Sequence, residues 1–270
     1  MATQFGMIGG GVMGEAILAR LIQQGMFAPV DVIVSEPMPE RRALLAEQYG
    51  VTVTAENRMA IAAETVMLAV KPQAFAAVVT GLQQEPMINE SHRPLILSIL
   101  AGIPLSKLEA AFAGCPVVRA MPNTPATIGA GMTAIAPGQR AEPQHLALAE
   151  RIFQVVGEVV QVPESLMDAV TGLSGSGPGY IALVIEALSD GGVAAGLPRA
   201  TATKLAIQTV KGTAQLLQET GLHPGELKDR VTSPGGTTIA GIARLEEAGL
   251  RSALIEAVKT ASARSQELGR

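Results

Sequence analysis

The chain has no tryptophan, one cysteine, three histidines, five phenylalanines and two tyrosines. Each scarcity removes a class of function. Cys115 alone cannot form an internal disulfide, so the expected setting is the reducing cytoplasm. At a strand edge it reads as inert packing. His92, His145 and His223 share no metal-ligand spacing, so no metal site is expected. No serine has glycine both two residues before and two residues after it, so the nucleophile elbow of hydrolases is missing. Long hydrophobic runs are missing too. The strongest, Ile181 to Leu188, is short and contains Glu186, so no membrane span is expected. The N-terminus lacks a basic stretch and its apolar run breaks into glycines, unlike a secretory signal. A net charge of -4 gives no pull toward nucleic acid or an anionic surface.

What is present is small apolar residues and glycine, over 270 residues. That length builds one large domain or two modest ones. Short apolar runs at Gln4–Ile8, Val30–Ser35, Val51–Thr54, Val66–Val70, Leu95–Ile99 and Val117–Ala120 read as strands. Helical patterns lie between them, at Glu15–Gln24, Glu40–Tyr49, Phe75–Leu82 and Leu105–Ala111. This alternation predicts βαβ units on a parallel sheet. Met132–Ala136 and Val159–Val162 extend the strand pattern around a helix at Pro143–Val155. After about Pro163 the strand signals stop. Leu166–Ala169, Tyr180–Ala195, Arg199–Thr220, Ile239–Ala248 and Arg251–Leu268 have helical spacing. The fold class expected is therefore α/β, a Rossmann-like mostly parallel sheet domain over 1–163, followed by an all-helical domain over 164–270. Tyr180–Ala195 and Arg199–Thr220 are apolar over much of their circumference. A helix of that kind needs burial on every side, so packing against a second subunit is expected, making a homo-oligomer.

Gly9, Gly11 and Gly14 form G-x-G-x-x-G, with Val12 and Met13 between, directly after a strand and opening a helix. The first glycine permits a tight turn, the second lets backbone approach a pyrophosphate, and the third lets helix and strand pack closely. The helix N-terminus then attracts the anion through free N–H groups. Glu36 stands at the end of the second strand, where a carboxylate binds the ribose hydroxyls of NAD. Ser35 precedes it, and Arg41 and Arg42 follow, cations suited to the 2′-phosphate of NADP or to an ordinary solvated helix face. The choice between the two cofactors stays open at this point.

Ligands of open parallel sheets bind outside the carboxyl ends of the strands. Ala69-Val70-Lys71-Pro72, Ala101-Gly102 and Met121-Pro122-Asn123-Thr124-Pro125 occupy such ends. Lys71 meets cofactor phosphates or faces solvent. Asn123 bonds a nicotinamide amide or caps its own loop. In the second half, Gly172 to Gly179 precedes an apolar helix, with glycines suited to close helix crossing and serines to capping or cofactor bonding. Ser233-Pro234-Gly235-Gly236-Thr237-Thr238 lies between two helical stretches. Two readings stand. Its N–H groups and hydroxyls form a pocket for a small carboxylate, or Thr237 or Thr238 simply caps the next helix.

The runs Leu222 to Thr238 (LHPGELKDRVTSPGGTT), Ala120 to Pro125 (AMPNTP), Leu68 to Gln73 (LAVKPQ) and Thr171 to Pro178 (TGLSGSGP) resemble the signatures of the pyrroline-5-carboxylate reductase family. The match runs in order over nearly the whole chain. The resemblance implies a Rossmann domain and a helical domain that interlocks into a homodimer, with many members assembling further into decamers. It implies hydride transfer from NAD(P)H to C5 of 1-pyrroline-5-carboxylate, giving L-proline, the last step of proline biosynthesis. NADP(H) is the favoured cofactor and NAD(H) the alternative, with Glu36 weakening the lean toward NADP(H). By the same resemblance Ser233 and the backbone of Gly235, Gly236 and Thr237 hold the substrate carboxylate, and Thr238 bonds the ring nitrogen. Glu164, Ser174 to Pro178 (Ser176 among them) and Asp229 lie around that pocket. The glycine loop, Ser35, Asn57, Ala69, Val70, Lys71, Pro72 and Ala101 line the cofactor, with Met121, Pro122 and Asn123 beside them.

Two other classes fit the sequence less well. A β-hydroxyacid dehydrogenase also has a Rossmann domain before helices. Aligning Gly175 and Gly177 with its glycines puts Ile181 at its catalytic lysine and Ile185 at its asparagine, so the chemistry is missing. A non-catalytic NAD(P)-binding sensor has no need of the Ser233 to Thr238 pocket.

Overall fold

The computed structural model describes residues 3–84, 88 and 92–269. Eight strands make one sheet: β1 (Phe5–Ile8), β2 (Val32–Ser35), β3 (Thr52–Thr54), β4 (Thr65–Leu68), β5 (Leu95–Ser98), β6 (Val117–Met121), β7 (Gly131–Pro137) and β8 (Gly157–Gln161). Around and after it come α1 (Val12–Gln23), α2 (Pro39–Tyr49), α3 (Asn57–Ile61), α4 (Phe75–Gln84), α5 (Leu105–Ala111), α6 (Pro143–Gln154), α7 (Met167–Val170), α8 (Gly177–Ala194), α9 (Arg199–Thr220), α10 (Pro224–Arg230), α11 (Thr237–Glu247) and α12 (Leu250–Gly269). The short helix α3 has no counterpart in the sequence reading, because five residues give too little periodicity to see.

The sheet order is β3-β2-β1-β4-β5-β6-β7-β8. The first six strands are parallel, β7 runs antiparallel to β6, and β8 parallel to β7. The order reverses between β1 and β4, where a doubly wound sheet opens a crevice. Ile8 is level with Ser35 and with Leu68, so the loops after β1, β2 and β4 leave the sheet together. Both faces are covered, which explains the near-continuous apolar strands. Phe5 and Met7 pack with Ile17, Leu18 and Leu21 of α1 and with Ile152 and Phe153 of α6. Ile8, Val66 and Leu68 pack on the other face with Ile61, Val78, Leu105 and Leu108.

The chain forms two compact units, one of residues 1–175 with 260–270, the other of 176–259. The packing units thus divide after Gly175, whereas composition changes after Pro163, and the end of α12 belongs with the first unit. Asp168 shows why: its Oδ1 accepts the hydroxyl of Ser265 at 2.6 Å. In the second unit α8 and α9 cross closely. A Cβ on Gly192 would lie 3.0 Å from the Ala202 methyl. Ser189 and Thr203 bond across the crossing at 2.8 Å, and Arg199 donates to Ser189 at 3.0 Å. The close approach belongs to Gly192. Gly177 and Gly179, where the sequence suggested it, have open space on their Cβ side.

Candidate active site

The three glycines of the first loop do three different things. Gly9 has φ +102°, which side-chain-bearing residues rarely adopt. A Cβ there would also lie 2.7 Å from the Ala69 carbonyl oxygen. A Cβ on Gly14 would lie 2.6 Å from the Gly9 carbonyl oxygen, so this glycine sets how closely α1 rides on β1. A Cβ on Gly11 would meet nothing within 4 Å. The middle glycine therefore faces open space at the N-cap of α1, where no side chain caps the helix. Exposed backbone at a free helix N-terminus suits a pyrophosphate. Val12 is exposed and Met13 half-buried beside it.

The groups after β2 are less free than the sequence suggested. Glu36 is 7% exposed. Its Oε2 accepts the Gly10 N–H at 2.9 Å and its Oε1 the Met38 N–H at 3.0 Å. Arg41 Nε donates to the Gly10 carbonyl at 2.7 Å, and its guanidinium pairs with Glu15. Arg42 donates to the carbonyls of Glu36 at 2.7 Å and Pro37 at 2.8 Å. Ser35 is buried, and its hydroxyl donates to Asn57 Oδ1 at 2.7 Å, joining two residues expected to line the same ligand.

The other strand-end loops follow β4, β5 and β6 directly. Ala69 and Val70 follow β4, with Lys71 exposed ahead of a turn over Pro72–Ala74. Ala101 is half-buried after β5. After β6, Asn123 serves the protein's own backbone: its Oδ1 accepts the Met132 N–H at 2.9 Å, and its Nδ2 donates to the Ser174 carbonyl at 3.2 Å. Met121 and Pro122 lead into it, and a Cβ on Gly175 would lie 2.7 Å from the Met121 methyl. Thr171–Gly175 is a turn of π-helix, a conformation found mostly as single turns and frequently at functional sites.

Glu164 has structural partners far from it in the chain. Its Oε1 accepts the Leu105 N–H, in the first turn of α5, at 2.5 Å and Arg119 of β6 at 3.2 Å. Ser176 is half-buried at the N-cap of α8.

In the second unit, Gly235 has φ +67° and the Gly236 N–H closes back on the Ser233 carbonyl at 3.0 Å. Ser233 is exposed, and a Cβ on Gly236 would strike its hydroxyl. Gly236 is the N-cap of α11, in extended conformation with no side-chain cap. The capped-helix reading of this segment therefore fails. Thr237 and Thr238 are the first two helical residues, and the amides of a first turn have no intrahelical acceptor. An eleven-residue helix thus presents an uncapped, positive N-terminus beside the Ser233 hydroxyl. Among the described residues no group of three or more His, Cys, Asp or Glu stands together as for a metal.

A glycine loop at the switch point of a doubly wound sheet, followed by a helical unit, marks a two-part dinucleotide-binding protein. Comparison with known proteins narrows the class. Residues 164–268 match the family described as pyrroline-5-carboxylate reductase dimerisation, and 4–102 the family described as NADP oxidoreductase, coenzyme F420-dependent. A pyrroline-5-carboxylate reductase of Synechocystis sp. is 58% identical over 271 residues, covering 100% of each chain. A solved reductase of that name from Coxiella burnetii superposes with TM-score 0.91 at 35% identity, covering 100% of both chains. The Plasmodium falciparum structure with NADP bound gives 0.88 at 27% identity, covering 99% of this chain and 98% of the other. The chain belongs to the pyrroline-5-carboxylate reductase family.

Proposed function

We propose that the protein reduces 1-pyrroline-5-carboxylate to L-proline with a reduced nicotinamide cofactor. The observation that carries this reading is the uncapped start of α11 beside Ser233. The Ser233 hydroxyl and the N–H groups of Gly235 and Thr237 hold the substrate carboxylate there, around the backbone of Gly236, whose own N–H stays on the Ser233 carbonyl. A carboxylate gains from several N–H donors and from the helix dipole at once. Thr238, one residue further into the helix, bonds the ring nitrogen and is the catalytic residue. A cyclic imine can take its proton from water, so no strong acid need be present and the side chains act by positioning. Glu164 and Ser176 border the substrate.

Gly9, Gly11, Val12, Met13 and Gly14 hold the pyrophosphate, with Ser35, Glu36, Asn57, Ala69, Val70, Lys71, Pro72, Ala101, Met121, Pro122 and Asn123 around the rest of the dinucleotide. When bound, the nicotinamide supplies the hydride. NADP(H) is favoured over NAD(H), supported by the NADP-bound relative and by Glu36, whose two carboxylate oxygens already accept the Gly10 and Met38 N–H groups.

The helical unit joins two copies, the simplest step toward a larger assembly such as a decamer. Support comes from Leu183, 66% exposed, and from Leu205 and Ile255, each 53% exposed, on the helices that the dimerisation family covers. The lone cysteine suits a cytoplasmic setting, and no described helix is long and apolar enough to cross a membrane.

The test is direct. Purified protein is given pyrroline-5-carboxylate with NADPH or NADH, and cofactor oxidation is followed together with L-proline formed. Equal amounts of the two are expected. Oxidation of 3-hydroxyisobutyrate instead, or cofactor binding without turnover, would reject the proposal.

A further inference from the structure

The Gly10 peptide is gripped at both ends by the segment that follows β2. Its N–H goes to Glu36 and its carbonyl to Arg41. The second oxygen of Glu36 takes the Met38 N–H, so the carboxylate ties the glycine loop to the start of α2. Arg41 continues to Glu15 in α1, whose other oxygen accepts the Tyr49 hydroxyl at 2.9 Å from the end of α2. Leu45 closes the gap, since its Cδ1 would lie 2.6 Å from any Cβ on Gly10.

We propose that Glu36 and Arg41 are positioning residues that hold the glycine loop in its anion-binding shape, and that neither one selects between NADH and NADPH. An acid at the end of the second strand ordinarily selects by bonding the ribose hydroxyls. Here both carboxylate oxygens take backbone N–H groups and the side chain is buried. Such charge-assisted bonds are about twice as strong as neutral ones. A run of glycines is conformationally free. Fixing it before binding lowers the ordering cost for either dinucleotide equally. Arg41 is engaged in the same way, spending its Nε on the loop rather than on a phosphate.

This inference rests on the dinucleotide reading of the site and is tested on the full chain. The dissociation constants of NADH and NADPH are measured by calorimetry for the wild type, Glu36→Ala, Glu36→Gln and Arg41→Ala. Hydrogen exchange at the Gly10 amide is measured without cofactor. In Glu36→Ala both affinities fall together, by roughly tenfold, as for loss of a bond to a charged group. The ratio of the two dissociation constants stays within about twofold, and the Gly10 amide loses protection. Glu36→Gln is intermediate, because its carbonyl oxygen keeps one acceptor. If Glu36→Ala does not fold, Arg41→Ala reports on the other end of the same peptide and weakens both cofactors in parallel. A rise in NADPH affinity with a fall for NADH would overturn the proposal, and so would unchanged affinities accompanied only by a lower melting temperature. A wild type that binds neither cofactor would sink the dinucleotide reading itself, a result distinct from either.

Discussion

Arg119, nearly buried in β6, donates to the Glu164 carboxylate at 3.2 Å, and the same oxygen receives the first-turn amide of Leu105. Glu164 thus fastens the chain after β8 to the start of α5. Its side chain is 33% exposed against 6% for Arg119, so the arginine suffers more from separation. Breaking a fully buried pair costs about 3–5 kcal/mol, and the half-open carboxylate brings the expectation for Glu164→Ala to about 2–3 kcal/mol. Urea unfolding measures it. Glu164→Gln, which keeps an acceptor for Leu105, loses less. A loss equal to that of any surface carboxylate would mean that the pair does not form in solution.

The glycine loop separates folding from binding. Gly11→Ala adds a methyl into open space and keeps the melting temperature of the wild type, but it weakens NADPH by roughly tenfold, since the methyl stands where a pyrophosphate must approach. Gly14→Ala pushes α1 from β1 and lowers both stability and affinity. Thermal unfolding paired with cofactor titration distinguishes them. Equal loss of stability in both variants would contradict the division of roles.

Thr238→Ala removes the hydroxyl that we assign to the substrate nitrogen. Turnover falls by roughly tenfold or more, as for a lost hydrogen bond at a desolvated site, with cofactor affinity unchanged. Thr238→Ser restores most of it, because the hydroxyl is kept on an amide-rich helix start. Steady-state kinetics of the three proteins decide, and a fully active Thr238→Ala removes Thr238 from the mechanism.

The Tyr49 phenol is pushed up to about 12, first by burial and then by its hydrogen bond to Glu15 and that group's charge. The folded protein therefore holds this proton more tightly than the unfolded chain, whose phenol titrates near 10. The stabilisation is complete below about pH 10 and disappears as the pH climbs toward about 12. With no tryptophan and one other tyrosine, absorbance titration of Tyr180→Phe reads Tyr49 alone. A phenolate midpoint near 10 in that variant would show the Tyr49–Glu15 bond to be absent. Glu15→Gln is expected to lower the midpoint.

Much of the fold was legible locally. The helices Leu105–Ala111 and Arg199–Thr220 have the bounds their apolar spacing predicts. The strands of the parallel half lie within about two residues of their apolar runs. Gly9, Gly11 and Gly14 carried their roles in their spacing, because a turn, a close approach and a helix start are short-range demands on backbone. The long motifs carried the family. Met132–Ala136 was legible as a strand, but its antiparallel direction in β7 was not, since an apolar alternation has no direction.

Element order, the glycine loop and the family could all be read along the chain, because each depends on neighbours in it. Which groups are left for chemistry depends on packing. Glu36 stands 26 residues from the Gly10 amide it accepts, and Glu164 stands 59 from Leu105. A carboxylate's partner over such separations is set by how strands and helices pack. Only the packed chain shows that both carboxylates are engaged by backbone N–H groups, while the start of α11 keeps its amides uncapped beside Ser233.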